Sequence, residues 1–359
     1  HEGMRKRHAS QYANFGSLPS LRNQGPIIVV KNIVDFLVRW GCEIDVFYFD
    51  DFPSAMCFNC PVKKISMKTL IDFEQYDIIH SHCLRPDMYI ARWKKKINRA
   101  KLVSTLHQDT YCSFRYQYNF ILSYLFTKYW CFIQSKFDVV ISISEQIKRA
   151  YEGCIKAPMT TIYNGCVINL DGEEDDQIVK SILEMKKLYK ILGTYAFVTP
   201  RKGLDQIIKV MPYLQEYVFI IIGEGPDIKE LKSLSQKLCI SDRIIFFSYQ
   251  KNPCNYLPYF DVYVMPSYSE GFGLAMVEAA LARRAIVCSD IPSFHEIFFN
   301  NEACFFKLKD MDSLQKAIIK AYENRDVMGE MAYKRAYSHF TTSKMAENHL
   351  NYYQGLLRK

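Results

Sequence analysis

No run of the 359 residues stays apolar for the roughly 18 positions that a membrane-spanning helix needs, so a spanning anchor is not expected. No secretory leader opens the chain, which predicts a cytoplasmic setting with reduced thiols. The twelve cysteines are scattered, and the single Cys57-x-x-Cys60 lacks the second pair that a zinc site would need. Low-complexity segments and short-period repeats are missing as well. Half of the chain lacks an excess of either charge: residues 171–359 hold 24 Lys+Arg and 24 Asp+Glu. Residues 1–170 hold 22 and 14, so the whole net charge of +8 lies there. No nucleic-acid motif accompanies that charge, and nucleic acid is not an expected partner.

What is present is a globular composition, 49% hydrophobic and 23% charged, on a chain long enough for two domains. Short β-branched runs at 44–49, 77–80, 101–106 and 138–143 read as buried strands, with helical periodicity at 33–40 and 144–151. The second half repeats the theme, with strands at 191–198, 217–222, 243–247, 261–265 and 285–288. Helices are expected there at 204–214, 227–238, 274–282 and 311–324. Alternating strands and helices predict parallel sheets covered on both faces. The expected fold is α/β, two doubly wound Rossmann-like domains facing a cleft. The boundary falls near 169–177, where the acidic run 171–176 reads as a solvated linker. This predicts a domain at 1–170 and another at 171–342, with a helix at 343–359 packing back on the first.

Three stretches fit that scheme less simply. Residues 5–20 are polar where a doubly wound domain should open with an apolar strand, so the first strand is either missing or atypical. Residues 111–134 carry Tyr111, Phe114, Tyr116, Tyr118, Phe120, Tyr124, Phe126, Tyr129, Trp130 and Phe132. Most of this stripe is expected in a helix–helix core, and the rest on an acceptor-binding or membrane-contacting surface. Residues 92–101 are densely basic: either a solvated helix face, or a patch for anionic lipid with Trp93 as interfacial anchor.

The chemistry concentrates after Pro266, in Ser269-Glu270-Gly271-Phe272-Gly273-Leu274-Ala275-Met276-Val277-Glu278. A strand ends, a glycine-rich turn follows, and a helix begins. Unpaired N–H groups at a helix start suit a phosphate. Gly271 and Gly273 let a ligand approach the backbone. The carboxylates Glu270 and Glu278 suit hydroxyl groups. Phosphate donors beside hydroxyl acceptors describe a pocket for a nucleotide-sugar.

The two glutamates with seven residues between them, and Gly-Phe-Gly after the first, resemble the signature of retaining glycosyltransferases of family 4, of bacterial surface-polysaccharide type. The resemblance implies the GT-B fold and runs from about residue 25 to about residue 297. Within it, Gly25 matches the first glycine loop, although Gln24 stands where a second glycine is usual. His107 resembles the cleft histidine that contacts the transferred sugar. Thr199-Pro200-Arg201-Lys202-Gly203 resembles the segment that holds the donor diphosphate. The family commonly has Gly-Arg five to six residues before that lysine, where this chain has Ala196-Phe197. Gly223-Glu224-Gly225 matches a Gly-x-Gly turn near the donor; as a dinucleotide fingerprint it fails, because a third glycine is missing. Tyr249 falls where the family holds the nucleobase, and Asn164-Gly165 resembles its inter-domain turn, though Asn-Gly is a turn in any protein. Each motif alone also fits ordinary turn and helix-start chemistry; their order adds weight.

The resemblance implies catalytic roles for His107, Glu270, Lys202 and Arg201. Donor contacts are expected from Gly25, Gly223, Tyr249, Gly271, Phe272, Gly273, Leu274 and Glu278. Transfer is expected to retain configuration and to need neither metal nor cofactor, because no Asp-x-Asp metal motif stands out. His80-x-His82 lacks a visible third ligand and reads as structural or acceptor-side. The donor is UDP- or GDP-linked, and the acceptor a glycan or a polyprenyl-diphosphate-linked glycan in O-antigen, capsule or exopolysaccharide synthesis. The location implied is the inner face of the cytoplasmic membrane, as a peripheral protein on an anionic surface. A nucleotide-sugar 2-epimerase is the alternative on the same architecture. A two-lobed binding protein and a glycogen- or sucrose-type transferase are further readings.

Overall fold

Strands form where β-branched and aromatic residues run without interruption, and two sheets follow from that rule. The computed structural model describes residues 13–21, 25–51, 56–111 and 119–358. The chain divides into two compact units: residues 1–166 with 341–359, and residues 167–340.

The first unit is built from β1 (Ala13–Ser20), α1 (Gly25–Arg39), β2 (Glu43–Asp50), β3 (Val62–Lys64), β4 (Ile78–His82), α2 (Leu84–Trp93), β5 (Lys101–Leu106), α3 (Phe120–Gln134), β6 (Val139–Ser142), α4 (Glu145–Tyr151) and β7 (Met159–Thr161). Among the described residues the strands order as β3-β2-β1-β4-β5-β6-β7, all parallel. The first strand is therefore present. β1 pairs with β2 from Ala13↔Glu43 to Ser20↔Asp50 and with β4 through Ser17↔Ser81. Its polar sequence hid it because a central strand draws on two ladders and on packing, not on its own propensity. Gly16, Ser17 and Leu18 are all buried.

The second unit holds α5 (Asp176–Lys186), β8 (Lys190–Tyr195), α6 (Leu204–Val210), β9 (Tyr217–Ile222), α7 (Ile228–Lys237), β10 (Ile244–Phe247), β11 (Val262–Met265), α8 (Leu274–Leu281), β12 (Ala285–Ser289), α9 (Pro292–His295), β13 (Cys304–Phe306), α10 (Met311–Glu323) and α11 (Arg325–His339). The strands order as β10-β9-β8-β11-β12-β13, again parallel. Its core packs Leu192, Phe219, Ile221, Val264, Val287 and Ile318. Strand order reverses between β8 and β11, and in open α/β sheets ligands bind beyond the carboxyl ends of strands at such a point.

The last helix, α12 (Thr342–Leu357), belongs to the first unit and packs on α1. Thr341 caps it by accepting from the Lys344 amide, a contribution of about 1 kcal/mol. The Thr342 amide donates to the Cys166 carbonyl at 3.1 Å.

Two expectations are corrected here. Within α3, the aromatic stripe does not form core: Phe120, Tyr124, Phe126, Tyr129 and Phe132 are exposed, and of these aromatics only Trp130 is buried. Phe114, Tyr116 and Tyr118 lie outside the described residues. Trp93 is not an interfacial anchor, because its indole is half-buried against the cluster around Phe73, Tyr89 and Phe137. The basic residues Lys94–Lys96 form an exposed 3-10 turn after α2.

Candidate functional site

The loops that follow β8 and β11 lie side by side because their strands do. Gly203 makes this possible: its φ is +64°, and an added Cβ would come within 2.2 Å of the Pro266 carbonyl oxygen. The contact is then stitched by hydrogen bonds. The Tyr268 amide donates to the Arg201 carbonyl at 2.9 Å. Arg201 Nη1 donates to the Ser269 carbonyl at 2.6 Å. Gln206 Nε2 donates to the Pro266 carbonyl at 2.8 Å.

That stitching places three sequence-predicted residues together. Lys202 Nζ lies 2.6 Å from Glu270 Oε1 and Arg201 Nη1 lies 3.0 Å from Glu270 Oε2. Ser267 Oγ donates to Glu270 Oε1 at 3.0 Å. The Glu270 side chain is only 9% exposed. Burial pushes its pKa up, but the charges of Lys202 and Arg201 and their hydrogen bonds outweigh this and bring it down to about 2. Glu270 is thus ionised at neutral pH and carries two cations, so the trio keeps one net positive charge.

α8 begins at Leu274 directly after this trio. Gly273, at φ +97°, caps it without a side-chain hydrogen bond, so no side chain competes for the first amides. Gly271 sits between the carboxylate and that helix start. Phe272 is buried, its ring edge-on to Phe340 at 5.6 Å, so only its main chain is available for a donor. One turn into α8, Glu278 accepts from the Tyr195 hydroxyl of β8. Burial raises its pKa, opposed by that hydrogen bond.

Gly223 has a different explanation from ligand approach. It sits at φ +142°, its amide donates to the Phe247 carbonyl at 3.0 Å, and an added Cβ would be 2.0 Å from the Ala196 carbonyl oxygen. Chain packing alone demands glycine there. Gly223→Ala is expected to lower the melting temperature by several degrees, because the backbone must shift; an unchanged melting curve would contradict the packing. Tyr249, after β10, is 57% exposed, and Phe197, in the place of the family's arginine, is 70% exposed. Asp310-Met311-Asp312 does have Asp-x-Asp spacing, but the Asp310 carboxylate is occupied as the α10 cap, accepting from the Ser313 amide at 2.9 Å.

The two remaining predicted residues belong to the first unit. Gly25 opens α1 with nothing within 4 Å of an added Cβ, so no packing requirement selects glycine. His107, after β5, shares a hydrogen bond of 3.0 Å between its Nε2 and His82 Nδ1. His82 rests on His80, ring centroids 4.1 Å apart. His80 uses both ring nitrogens, Nδ1 to the Tyr353 hydroxyl at 2.6 Å and Nε2 to Thr105 Oγ1 at 2.7 Å. His349 of α12 stacks on His80 at 6.0 Å. Burial drives all four histidines toward the neutral form, His107 to about 3 and His349 to about 4.

Sequence reasoning missed Tyr195 and Ser267, the partners of Glu278 and Glu270, and the α12 residues His349 and Tyr353. No local pattern marks them. Tyr353 lies 273 positions from His80.

Residues 175–338 match the family described as glycosyl transferases group 1, and residues 25–169 match glycosyltransferase family 4. The O-antigen biosynthesis glycosyltransferase WclY of Escherichia coli is 28% identical over 353 residues, 95% of this chain and 97% of that protein. The structure of Anabaena Alr3699/HepE in complex with UDP and glucose superposes with a TM-score of 0.79 at 16% identity, over 96% of this chain and 100% of that one. A glycosyltransferase from Rickettsia africae ESF-5 superposes with a TM-score of 0.76 at 16% identity, over 97% and 99%. Two consecutive glycosyltransferase domains, joined in a fold shared with solved relatives, make this chain a glycosyltransferase of the GT-B fold.

Proposed function

We propose that the protein transfers a sugar from a nucleotide-sugar, UDP- or GDP-linked, to a glycan or lipid-linked glycan, with retention of configuration, in O-antigen or related surface-polysaccharide synthesis. The name of WclY supports the biological setting, and the HepE complexes with UDP and with UDP-glucose support the donor class. The observation that carries the reading is the Arg201–Lys202–Glu270 trio beside the uncapped start of α8.

Negative charge grows on the leaving diphosphate as the glycosidic bond breaks. Arg201 offers a planar fork, Lys202 a mobile charge, and the α8 amides fixed dipoles, and we assign the stabilisation to these groups. Glu270 accepts from Lys202, Arg201 and Ser267. That leaves it a hydrogen-bonding carboxylate for sugar hydroxyls, not a free nucleophile. Attack then falls to the acceptor hydroxyl on the face of the leaving phosphate, and that phosphate takes its proton. Glu278 is the acceptor for ribose hydroxyls. Neutral His107 hydrogen-bonds without adding charge.

The family matches and WclY are transferases and give the epimerase reading no support. A thermal-shift series with UDP, GDP and their sugars tests the donor. At a hundredfold excess over Kd the right nucleotide stabilises by about 2.7 kcal/mol, raising the melting temperature by roughly 5–10 °C. If none of them shifts it, the donor assignment fails.

A further inference from the structure

The two carboxylates of the glycine-turn segment sit in opposite surroundings. Glu270 lies between two cations and accepts from Lys202, Arg201 and Ser267. Glu278 has no cation beside it among the described residues, and its hydrogen bond comes from the Tyr195 hydroxyl, which donates to Oε2. Glu278 is half-buried, and its Oε1 has no partner among the described residues. Burial favours the neutral carboxyl, and the Tyr195 hydroxyl opposes it by favouring the anion.

Tyr195 is fixed by the sheet. It is the last residue of β8, at the carboxyl end of the strand where the order reverses. It is 8% exposed, and its ring leans on Tyr263 of β11, centroids 5.6 Å apart. Two residues earlier on the same face of β8, Gly193 lacks a side chain, and the Phe260 ring fills the place: an added Cβ would come within 2.2 Å of it. Burial, and then the charge of Glu278, keep the Tyr195 hydroxyl protonated, so it stays a donor. We infer that Tyr195 is the positioning residue of the ribose subsite: its hydroxyl holds the Glu278 carboxylate by Oε2 and leaves Oε1 to the ribose hydroxyls of the donor. This rests on Glu278 being the ribose acceptor, and Tyr195 acts through it.

Few other groups compete for that role. Tyr263 of β11 and Cys254 of the 3-10 turn Pro253–Tyr259 are kept neutral by burial and further by Glu278. β12 and α11 also pack on α8, and among the described residues they bring no charged group to Glu278. Without the Tyr195 hydroxyl, burial acts unopposed, and Glu278 takes up a proton at a higher pH.

The test is isothermal titration calorimetry of the full chain with UDP and its 2′,3′-dideoxy analogue, and with GDP and its analogue, from pH 8 to pH 6. The ratio of the two affinities cancels the titration of the diphosphate and reports the ribose hydroxyls. Wild-type protein is expected to prefer the ribose nucleotide by roughly tenfold or more, as suits hydrogen bonds to a charged group. Tyr195→Phe, which keeps the ring, should bind the ribose nucleotide about tenfold more weakly and the analogue as before. What preference remains should fade at a higher pH than in the wild type. Glu278→Ala is the independent check if Tyr195→Phe folds poorly: it should abolish the preference. Adding Tyr195→Phe to it should change affinity less than about twofold, since no carboxylate is left to position. Wild-type protein that binds neither nucleotide, or binds ribose and dideoxyribose forms alike, refutes the ribose reading of Glu278 and the inference with it. A wild type that prefers ribose while Tyr195→Phe keeps that preference and its pH profile overturns the inference alone. So do equal losses for both forms, which mark a structural role.

Discussion

Between pH 6.5 and pH 5 the first unit is expected to lose most of its stability, while the second stays folded. A histidine whose folded pKa lies below its unfolded value near 6.5 contributes stability above that value and loses it as pH falls toward the folded pKa. His80, His82 and His349 are buried, and their pKa values are depressed chiefly by burial. Each costs about 1.4 kcal/mol per pH unit in that window, about 4 kcal/mol for the three. Asp87 acts in the other sense. Burial raises it to about 7 against hydrogen bonds from Ser81, Trp130 and Ser104, so its stability is full near pH 4 and lost as pH rises through 7. One carboxyl offsets one histidine, and the histidines win by about 3 kcal/mol per pH unit, before His107 is added. From pH 6.5 to pH 5 that comes to about 4 kcal/mol, most of the stability of a domain at the low end of the usual range of about 5–15 kcal/mol. Glu270, lowered to about 2, stabilises the second unit above pH 4.5 and loses that contribution only below it.

The measurement is direct because all three tryptophans, Trp40, Trp93 and Trp130, belong to the first unit. Their fluorescence should change near pH 5, while far-ultraviolet circular dichroism keeps a second transition at lower pH. His349→Gln, which removes one titrating ring, should flatten the acid limb. A fluorescence signal constant down to pH 4 would refute the neutral-histidine account.

Lys202→Ala and Glu270→Ala are each expected to slow sugar transfer at least tenfold, or about 1.4 kcal/mol. On the proposed reading, the loss for Lys202 is of charge facing the diphosphate. For Glu270 it is of the group that orders both cations and accepts sugar hydroxyls. The Glu270 change also carries a stability cost: two partly exposed cations, 20% and 30% accessible, lose their partner. A penalty of about 2 kcal/mol is reasonable for a pair that solvent partly screens. Lys202→Ala therefore separates chemistry from folding more cleanly. Single-turnover assays with a donor identified by thermal shift would read it. If both variants turn over at the wild-type rate, the trio is not the site of transfer.

Some of this was legible residue by residue. The β-branched runs at 44–49, 101–106, 217–222 and 285–288 announced strands, because a buried parallel strand needs apolar side chains on both faces. The strand–turn–helix around Glu270 announced a donor-type loop, because backbone amides and glycines leave a local mark. β1 left none, since ladders with β2 and β4 stabilise a strand whose own residues are polar. Nor did the orientation of α3: aromatic and aliphatic residues occur all along it, and the hydrogen bonds of Trp130 to Asp87 and of Gln134 to Ser104 beneath it go with the side that turns inward.

The amino-acid sequence by itself determined the α/β class and the local chemistry of each loop, because periodicity, glycine and charge act over a few residues; the transferase expectation came from the resemblance of its motifs to a known family. Tertiary structure alone decided which loops meet. It set β8 beside β11, so that Lys202 reaches Glu270 across 68 positions, and it laid α12 on the first sheet, so that Tyr353 and His349 close over His80. Such pairings depend on strand order and helix docking, which are settled by burial across the whole domain and leave no short-range trace in the chain.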